Sequence, residues 1–437
     1  MRKKIAAMTL GCKVNAYDTE AMLKVFSSHG YEIVDPCEIA DVYLVNTCTV
    51  TRLSDKKSRQ MLRRARRLNP TAVVAAVGCY SQVSPGAVLA IDEVDLVAGT
   101  KDRLQIVDMV ENYNRESGQA SLVSDIMTET EFEPLTVEKH ENRTRAYLKI
   151  QEGCNQYCSY CIIPYARGHI RSRPEDEVVA EAERFARGGY KEVVLAGIHV
   201  ASYGKDLGNT NLLAVISKVH EILGICRIRL SSIDPGIITQ DFVHAIARLT
   251  KVCPHFHLSL QSGCDKTLLR MNRKYTTEGY RVAAKLLREA IPDIALTTDI
   301  IVGFPGETDE DFLCSYNFVK EIGFARIHVF PYSPKGRTPA AGFADQISPS
   351  AKNARSAKMI ALGKELSRQF LECYIGRELE VIYETGPLPN IYEGYSGNYI
   401  TVKTESKENL VNKIRKVRVV RRVGEYVKAQ MAEGNKL

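Results

Sequence analysis

Tyr147-Leu148-Lys149-Ile150-Gln151-Glu152-Gly153-Cys154-Asn155-Gln156-Tyr157-Cys158-Ser159-Tyr160-Cys161 decides how this 437-residue chain is read. An apolar, strand-like run leads straight into three thiols spaced CxxxCxxC. Three residues span at most roughly 10 Å of backbone, so one loop can wrap all three sulfurs around a single compact inorganic cluster. Three thiolates on a four-iron cluster leave one iron without a protein ligand. An open coordination position marks a reactive metal site, whereas structural sites are closed. The alternative is a zinc knuckle with His169 as its fourth ligand. The wide first gap and the loop-forming Gly168 beside that histidine count against it.

The strand at Ala146–Ile150 is the first of six such runs, followed by Glu192–Gly197, Arg227–Ser231, His255–Gln261, Ala295–Val302 and Arg326–Pro331. Helical patterns at Glu175–Arg187, Leu212–Leu223, Gln240–Leu249, Thr277–Glu289 and Glu310–Ile322 alternate with them. Strand–helix units repeating every ~30–35 residues predict a parallel βα barrel. Six units predict a partial (βα)6 barrel, open on one side, whose middle a large substrate can reach laterally.

Upstream, Ile5–Leu10, Val42–Val45 and Val73–Val77 read as short buried strands, with helices at Thr19–His29 and Ser54–Leu68. That pattern predicts a parallel α/β domain. Residues 113–144 are polar and weakly patterned, as expected of a connection. Beyond a helix at Ser350–Cys373, strand-like runs at Leu379–Tyr383, Tyr399–Thr404 and Arg415–Val420 are separated by glycines, Pro387 and Pro389. They predict a small antiparallel barrel. The expected fold class is therefore α/β, with an N-terminal domain over 1–112, a linker over 113–144, a central partial barrel over 145–372 and a small β-barrel over 373–437.

Cys12, Cys48 and Cys79 are too far apart in sequence for one loop to gather them. Each follows a predicted strand by one to three residues, in Leu10-Gly11-Cys12, Val45-Asn46-Thr47-Cys48 and Val77-Gly78-Cys79. The carboxyl ends of parallel strands lie along one edge of the sheet, where ligands bind. With neighbouring strands about 4.8 Å apart, three such thiols can meet on a second metal cluster. Cys37, Cys226, Cys253, Cys264, Cys314 and Cys373 show no comparable arrangement and read as core or incidental thiols.

Composition narrows the setting. No apolar run approaches the ~18 residues needed to cross a bilayer, and no small-residue cleavage pattern follows the basic start Met1-Arg2-Lys3-Lys4. Twelve cysteines in such a chain are expected in a reducing cytoplasm, kept as thiols for metal. The net charge of +7 is concentrated in two places. Arg52, Lys56, Lys57, Arg59, Arg63, Arg64, Arg66 and Arg67 form one patch. Lys413, Arg415, Lys416, Arg418, Arg421 and Arg422 form the other. Separated basic patches suit a long polyanion better than a small acidic substrate.

Taken together, the motifs resemble those of the methylthiotransferases of the radical S-adenosylmethionine (SAM) superfamily over essentially the whole chain. The matching stretches are Thr9-Leu10-Gly11-Cys12-Lys13-Val14-Asn15 with Asp18-Thr19-Glu20, Val45-Asn46-Thr47-Cys48-Thr49-Val50, and Gly78-Cys79-Tyr80. In the core they are Ile150–Cys161, Ile163-Pro164-Tyr165-Ala166-Arg167-Gly168, Arg171-Ser172-Arg173, Ser202-Tyr203-Gly204, Leu260-Gln261-Ser262-Gly263 and Thr298–Glu307. The C-terminal segment is similar to the TRAM domain, an OB-like RNA-binding barrel. Gly11-Cys12-Lys13-Val14-Asn15 most resembles the branch acting on tRNA threonylcarbamoyladenosine; the isopentenyladenosine branch usually has Gln-Met at positions 13 and 14.

The resemblance implies methylthiolation of carbon 2 of N6-threonylcarbamoyladenosine next to the anticodon. That aromatic C–H is neither acidic nor electrophilic, so the chemistry must come from a cofactor. Cys154, Cys158 and Cys161 are implied to hold a SAM-binding 4Fe-4S cluster that yields a deoxyadenosyl radical. Cys12, Cys48 and Cys79 are implied to hold an auxiliary 4Fe-4S cluster carrying sulfide, which SAM methylates. Tyr160, Asp299 and Gly303 are candidates for the cofactor pocket. Arg167, Arg171, Arg173, Lys413, Arg415, Lys416 and Arg418 are candidates for RNA contact, the first three for phosphate or for the threonylcarbamoyl carboxylate, whose geometry a guanidinium matches, with a structural salt bridge the alternative for each of those three. Expected partners are tRNA, a low-potential flavodoxin- or ferredoxin-like electron donor and an iron–sulfur supply system. Competing targets are isopentenyladenosine or an aspartate of a ribosomal protein. A competing class is a non-catalytic iron–sulfur RNA-binding regulator.

Overall fold

The computed structural model describes residues 2–137 and 144–432. Six N-terminal strands form one sheet: β1 (Lys4–Thr9), β2 (Glu32–Val34), β3 (Val42–Thr47), β4 (Val73–Gly78), β5 (Leu96–Ala98) and β6 (Ala120–Leu122). Their order is β2-β1-β3-β4-β5-β6, and every pairing is parallel. β3 is buried at all six positions, which a central strand with both faces covered requires. Helix α1 (Lys13–Ser28) begins earlier than its apolar periodicity indicates, with Cys12 in extended conformation as its N-cap. Helix α2 (Arg52–Leu68) buries Ser58, Leu62 and Ala65, and its Thr51 cap accepts from the Ser54 amide.

The stretch expected to be a connection carries structure. β6 lies within it at the sheet edge, and Ile126, Leu135 and Val137 are buried. Residues 138–143 of that stretch, and 433–437 of the C-terminal segment, lie outside the described residues.

The central strands are β7 (Arg145–Glu152), the two-residue β8 (Arg171–Ser172), β9 (Glu192–Gly197), β10 (Arg227–Leu230), β11 (His255–His257), β12 (Ala295–Val302) and β13 (Arg326–Pro331). They form two sheets, β10-β9-β7-β8 and β11-β12-β13, joined through isolated parallel bridges Ile228–Val252 and Ile233–Leu258. The result is the expected arc of six parallel strands, β7 and β9 to β13, flanked by the short antiparallel β8 and unclosed between β8 and β13. Ala146, Leu148, Val193, Leu195, Ile228 and Leu230 pack outward under the helices. Arg145, Glu192, Arg227 and Arg229 alternate with them and so face the barrel interior.

Helix Pro349–Glu372 leads to β14 (Glu378–Leu388), β15 (Ile391–Ser396), β16 (Thr401–Glu405), β17 (Ile414–Val423) and β18 (Tyr426–Met431), closed in the order β14-β15-β16-β18-β17. Only β16 and β18 pair in parallel, an OB-like connectivity. Pro387 sits inside β14 and does not break it. The residues of β14 that pair with β17 end at Ile382, so the missing amide is not needed on that edge. Among the described residues no helix is long and apolar enough to cross a membrane.

Candidate active site

β1, β3 and β4 are neighbours in the N-terminal sheet, and Cys12, Cys48 and Cys79 follow their carboxyl ends. The backbone must turn sharply to present these thiols. Gly78 has φ +91°, and a Cβ there would stand 2.2 Å from Asn46 Oδ1. Cys12 is exposed, whereas Cys48 and Cys79 are buried. The three sulfurs feel one another's charge. Burial pushes the Cys79 thiol up to about 11 and raises Cys48, while the Arg167 guanidinium opposes the shift.

The second trio is built in the same way. Gly153, at φ +73°, precedes Cys154, and a Cβ there would meet the His169 carbonyl oxygen at 1.7 Å. The Cys154 amide donates to Gly168 O at 3.0 Å and that of Cys161 to Cys158 O at 2.9 Å, which folds the loop back on itself. Burial raises the thiols of Cys154 to about 11 and Cys161 to about 12. Arg273 donates to Cys158 Sγ at 3.2 Å and is held there by Asp234 at 2.9 Å and Tyr275 Oη at 3.0 Å. His169, the possible zinc ligand, is exposed and engages Asn155 Oδ1 at 3.1 Å instead.

Among the described residues no three His, Cys, Asp or Glu side chains converge as tightly as a single ion demands. Thiolates on separate irons of one cluster stand farther apart than thiolates sharing one ion. A soft donor set of three cysteines, each trio with an arginine N–H aimed at a sulfur, fits an anionic iron–sulfur cluster.

The two trios abut. Cys79 packs in one apolar group with Val83, Ile162 and Ala166, and Ile162 directly follows Cys161. Helix Ile163–Arg167 ends at Arg167, whose Nε donates to Cys79 Sγ at 3.3 Å. Arg167 also reaches Asn15 Oδ1 at 2.5 Å, Asp18 at 2.8 Å and the Glu152 carboxylate. Around it lies a buried ionic hub. Arg103 pairs with Asp18 at 2.5 Å, Glu133 at 2.6 Å and Glu152 at 3.0 Å, and Lys149 pairs with Asp18 at 2.7 Å and Glu152 at 3.0 Å. Three cations therefore meet three carboxylates across the seam between the N-terminal domain and the barrel. Lys335, bound to Thr49 Oγ1 at 2.9 Å and Asp55 at 2.5 Å, tethers the same two parts beside Cys48.

This hub corrects one expectation. Arg167, Arg171 and Arg173 are 0, 2 and 1% exposed, so RNA phosphates do not reach them. Arg173 is held by Glu181 and Glu177, and Arg171 lies 3.8 Å from Glu152. Unpaired arginines at these depths would be prohibitively costly, and internal carboxylates have claimed all three.

Tyr160 meets Phe304, the residue after Gly303, edge-on at 6.4 Å, in an apolar group with Met271 and Tyr332. The Gly303 and Phe304 amides both donate to Glu307 Oε2, at 2.6 and 3.1 Å. Asp299, four residues before Gly303 and on β12, lies 3.3 Å from His257 Nε2. Lys413, Arg415, Lys416 and Arg418 lie on or beside β17, where Val417 and Val419 fill the small barrel and Lys416 and Arg418 point to solvent. Arg103, Arg273 and Lys335 carry no signal in the sequence, where a lone basic residue in a loop does not reveal the sulfur or carboxylate it will meet.

Two family descriptions match the chain: the radical SAM superfamily over residues 148–319, and the uncharacterized protein family UPF0004 over residues 4–99. The threonylcarbamoyladenosine tRNA methylthiotransferase MtaB of Bacillus subtilis (strain 168) is 44% identical, covering 95% of this chain and 94% of its own length. The tRNA-2-methylthio-N(6)-dimethylallyladenosine synthase of Acetivibrio thermocellus is 33% identical over 96% of this chain and 89% of its own. Among solved structures, the radical SAM methyltransferase TsrM from Kitasatospora setae superposes with a TM-score of 0.61 at 15% identity, covering 82% of this chain and 89% of that one. That last likeness is one of fold.

Proposed function

Because the chain belongs to the tRNA methylthiotransferases of the radical SAM superfamily, we propose that it replaces the hydrogen on carbon 2 of N6-threonylcarbamoyladenosine, next to the anticodon, with a methylthio group. It is a radical SAM enzyme, and tRNA is its substrate. The observation that carries the two-centre form of this reading is the Arg167 hydrogen bond, which ties Cys79 to the helix that follows Cys161. Cys154, Cys158 and Cys161 would hold one 4Fe-4S cluster and Cys12, Cys48 and Cys79 another that bears sulfide. When bound, these clusters and SAM supply the radical and the methylthio group.

The side chains around them do the rest. Arg167 directs its Nε–H at Cys79 Sγ and favours thiolate there where burial favours thiol, and the Arg273 charge acts in the same sense on Cys154 and Cys161. The hub of Asp18, Glu152, Arg103 and Lys149 fixes Arg167 so that its Nε has one direction available. Tyr160, beside Phe304 and Gly303, presents an aromatic wall for the adenine of SAM, and Asp299 offers an acceptor inside the barrel. A low-potential flavodoxin- or ferredoxin-like donor and an iron–sulfur supply system complete the cycle.

Anaerobic reconstitution with iron, sulfide, SAM, reductant and hypomodified tRNA, followed by nucleoside mass spectrometry, tests the reaction. The expected product is 2-methylthio-N6-threonylcarbamoyladenosine. Methylthio appearing only on dimethylallyladenosine or on a ribosomal-protein aspartate would move the target, and no deoxyadenosine at all would overturn the enzyme reading.

We propose that RNA docks on the C-terminal barrel. Lys413 and Arg415 share Glu408, at 2.5 and 3.1 Å, and Arg418 pairs with Glu378 at 3.0 Å. Exposed pairs of this kind are weak and exchange readily for phosphate. Replacing Lys413, Arg415, Lys416 and Arg418 by Gln should weaken tRNA binding and reduce the slope of log affinity against log salt, by up to about 0.9 for each phosphate no longer neutralised. Iron content should not change; unaltered affinity would place the RNA-binding face elsewhere.

A further inference from the structure

Helix α2 carries the whole upstream basic patch and a single acid, Asp55, which is turned to Lys335 and Thr49. The fold sorts its cations into two sets. Arg66 turns inward, to Asp95 at 2.6 Å and the Ala72 carbonyl at 2.7 Å, and Arg64 bends to Cys37 Sγ at 3.0 Å. Arg52, Lys56, Arg59, Arg63 and Arg67 recur at intervals of four, three, four and four residues. They therefore lie within about a quarter-turn of one another, in a line ~22 Å long. Ser58, Leu62 and Ala65 bury another side of the helix, so the line faces outward. Arg59 in its middle donates to Tyr80 Oη at 3.1 Å, and the other four are exposed. Among the described residues no carboxylate pairs with Lys56, Lys57 or Arg67, and Glu93 stands 3.8 Å from Arg63. Like charges three and four residues apart repel one another, and an external polyanion relieves that repulsion.

The line starts at the open side of the partial barrel. The Arg52 amide donates to Ser333 Oγ at 3.3 Å and its Nε to Pro334 O at 3.2 Å, just beyond β13. Among the described residues β13 pairs with β12 alone. Its free edge, helix Pro349–Glu372 and the turn at Gly424 border a groove of about 810 Å³. Arg326, Lys364, Arg368 and Arg422 there outnumber Glu365 and Glu425. At the far end of the groove Arg326 pairs with Glu425 of the C-terminal barrel at 3.1 Å. That barrel is seated on the amino ends of the central strands. Arg229 donates to Gly397 O at 3.0 Å and to Ser396 O at 3.2 Å, in the turn that carries Tyr399, and Tyr399 stacks on His255 at 4.8 Å. The C-terminal barrel, the groove and α2 thus follow one another along the open side, joined by the ~20 Å of β13.

An RNA backbone and an acidic redox protein both carry the charge that α2 lacks. One cation per helical turn along a straight line suits a backbone whose charge repeats. A protein partner needs apolar anchors at its centre, and among the described residues Leu53, in the first turn, is the one large apolar side chain that α2 exposes. In the groove the ring of Phe330, 45% exposed among cations, suits the face of a base.

Resting on the tRNA substrate assigned above, we propose that α2 is a second RNA-docking surface. Its outward cations hold the phosphate backbone while the C-terminal barrel holds the same molecule, so that the RNA lies across the open side of the partial barrel.

The test replaces Lys56, Lys57, Arg63 and Arg67 together by Gln, leaving Arg52 and Arg59 on Pro334 and Tyr80, and titrates the cluster-reconstituted enzyme with hypomodified tRNA over a range of salt. Affinity at low salt should fall by roughly 10-fold or more, and the slope of log affinity against log salt should shrink by up to about 0.9 for each phosphate released. Combination with the C-terminal barrel variant should shrink the slope further than either alone. A photo-crosslinking residue at Gln60, exposed on α2, should capture the tRNA, and one at Glu183, on helix Glu175–Arg187, should not. Iron content and the urea midpoint are followed in parallel. Should the fourfold variant lose either, Lys56→Gln and Arg67→Gln are titrated singly, each with an expected slope change of up to about 0.9. Wild-type affinity and slope in the α2 variants overturn the proposal, and if the C-terminal barrel variant is still weakened the tRNA reaction stands. Equal capture at Gln60 and Glu183 also overturns it. So does intact tRNA binding with SAM cleavage reduced when flavodoxin is the donor and unchanged with dithionite, which would mark α2 as a protein-docking face. If the α2 variants weaken tRNA binding yet wild type transfers no methylthio group, the reaction assigned above fails and the docking surface stands.

Discussion

Cys79→Ala is expected to bring methylthiolation to background while SAM cleavage continues. The proposed division of labour makes the two trios separable. Losing one ligand of the N-terminal trio should remove its cluster, lowering iron from about eight to about four atoms per chain, yet leave Cys154, Cys158 and Cys161 to support deoxyadenosine formation. Cys12→Ala and Cys48→Ala should behave alike. Alanine at Cys154, Cys158 or Cys161 should abolish both reactions. Cys37→Ala is the control: this thiol is exposed, lies 3.0 Å from Arg64 Nη2, and should be dispensable. Nucleoside mass spectrometry, deoxyadenosine quantification and iron analysis read the three consequences separately. An active Cys48→Ala or Cys79→Ala enzyme would contradict the auxiliary centre.

Glu152→Ala should be the most destabilising single change to the seam between the domains. Glu152 is fully buried and faces Arg103, Lys149 and Arg167. Its removal leaves three cations against Asp18 and Glu133. Breaking a buried ionic network from one side typically costs about 3–5 kcal/mol, because the stranded charges have no water to turn to. A lower urea midpoint measures it, and a midpoint within experimental error of wild type would show that the hub is not holding the seam.

The same hub sets the acid limb of stability. Burial works to raise the carboxyl groups of Asp18 and Glu152, but Arg103, Lys149 and Arg167 outweigh it and hold both below their ordinary range. Folded carboxyls that take up protons less readily than unfolded ones contribute fully above the ordinary carboxylate pKa of about 4, and that contribution is withdrawn as pH falls through the depressed folded values. Wild-type stability should therefore drop below about pH 4, and Glu152→Ala should flatten that drop.

What is legible in the sequence follows from which physics acts locally. A loop that must present three sulfurs to one cluster fixes their spacing, so Cys154, Cys158 and Cys161 stand out in the linear chain. Cys12, Cys48 and Cys79 are legible by a different route, through the buried strands that precede them. Arg167, Arg171 and Arg173 read as RNA-binding residues because a one-dimensional pattern records charge without depth. Their carboxylate partners include Asp18, 149 positions away from Arg167. β5 and the edge strand β6, three residues each, are too short for alternation to register. β15, Ile391-Tyr392-Glu393-Gly394-Tyr395-Ser396, escapes notice because a mid-strand glycine reads as a break. Gly394 is required there: a Cβ would lie 2.2 Å from the Ile382 carbonyl oxygen of the neighbouring strand.

The turn that carries Tyr399 gives the C-terminal barrel a second duty. With Ser396 O and Gly397 O accepting from Arg229 at 3.2 and 3.0 Å, it covers the lower mouth of the partial barrel and would keep bulk solvent from the place where the proposed radical must survive long enough to find its target. The module proposed to grasp the nucleic acid would thus also be a bung, and neither role could drift without disturbing the other.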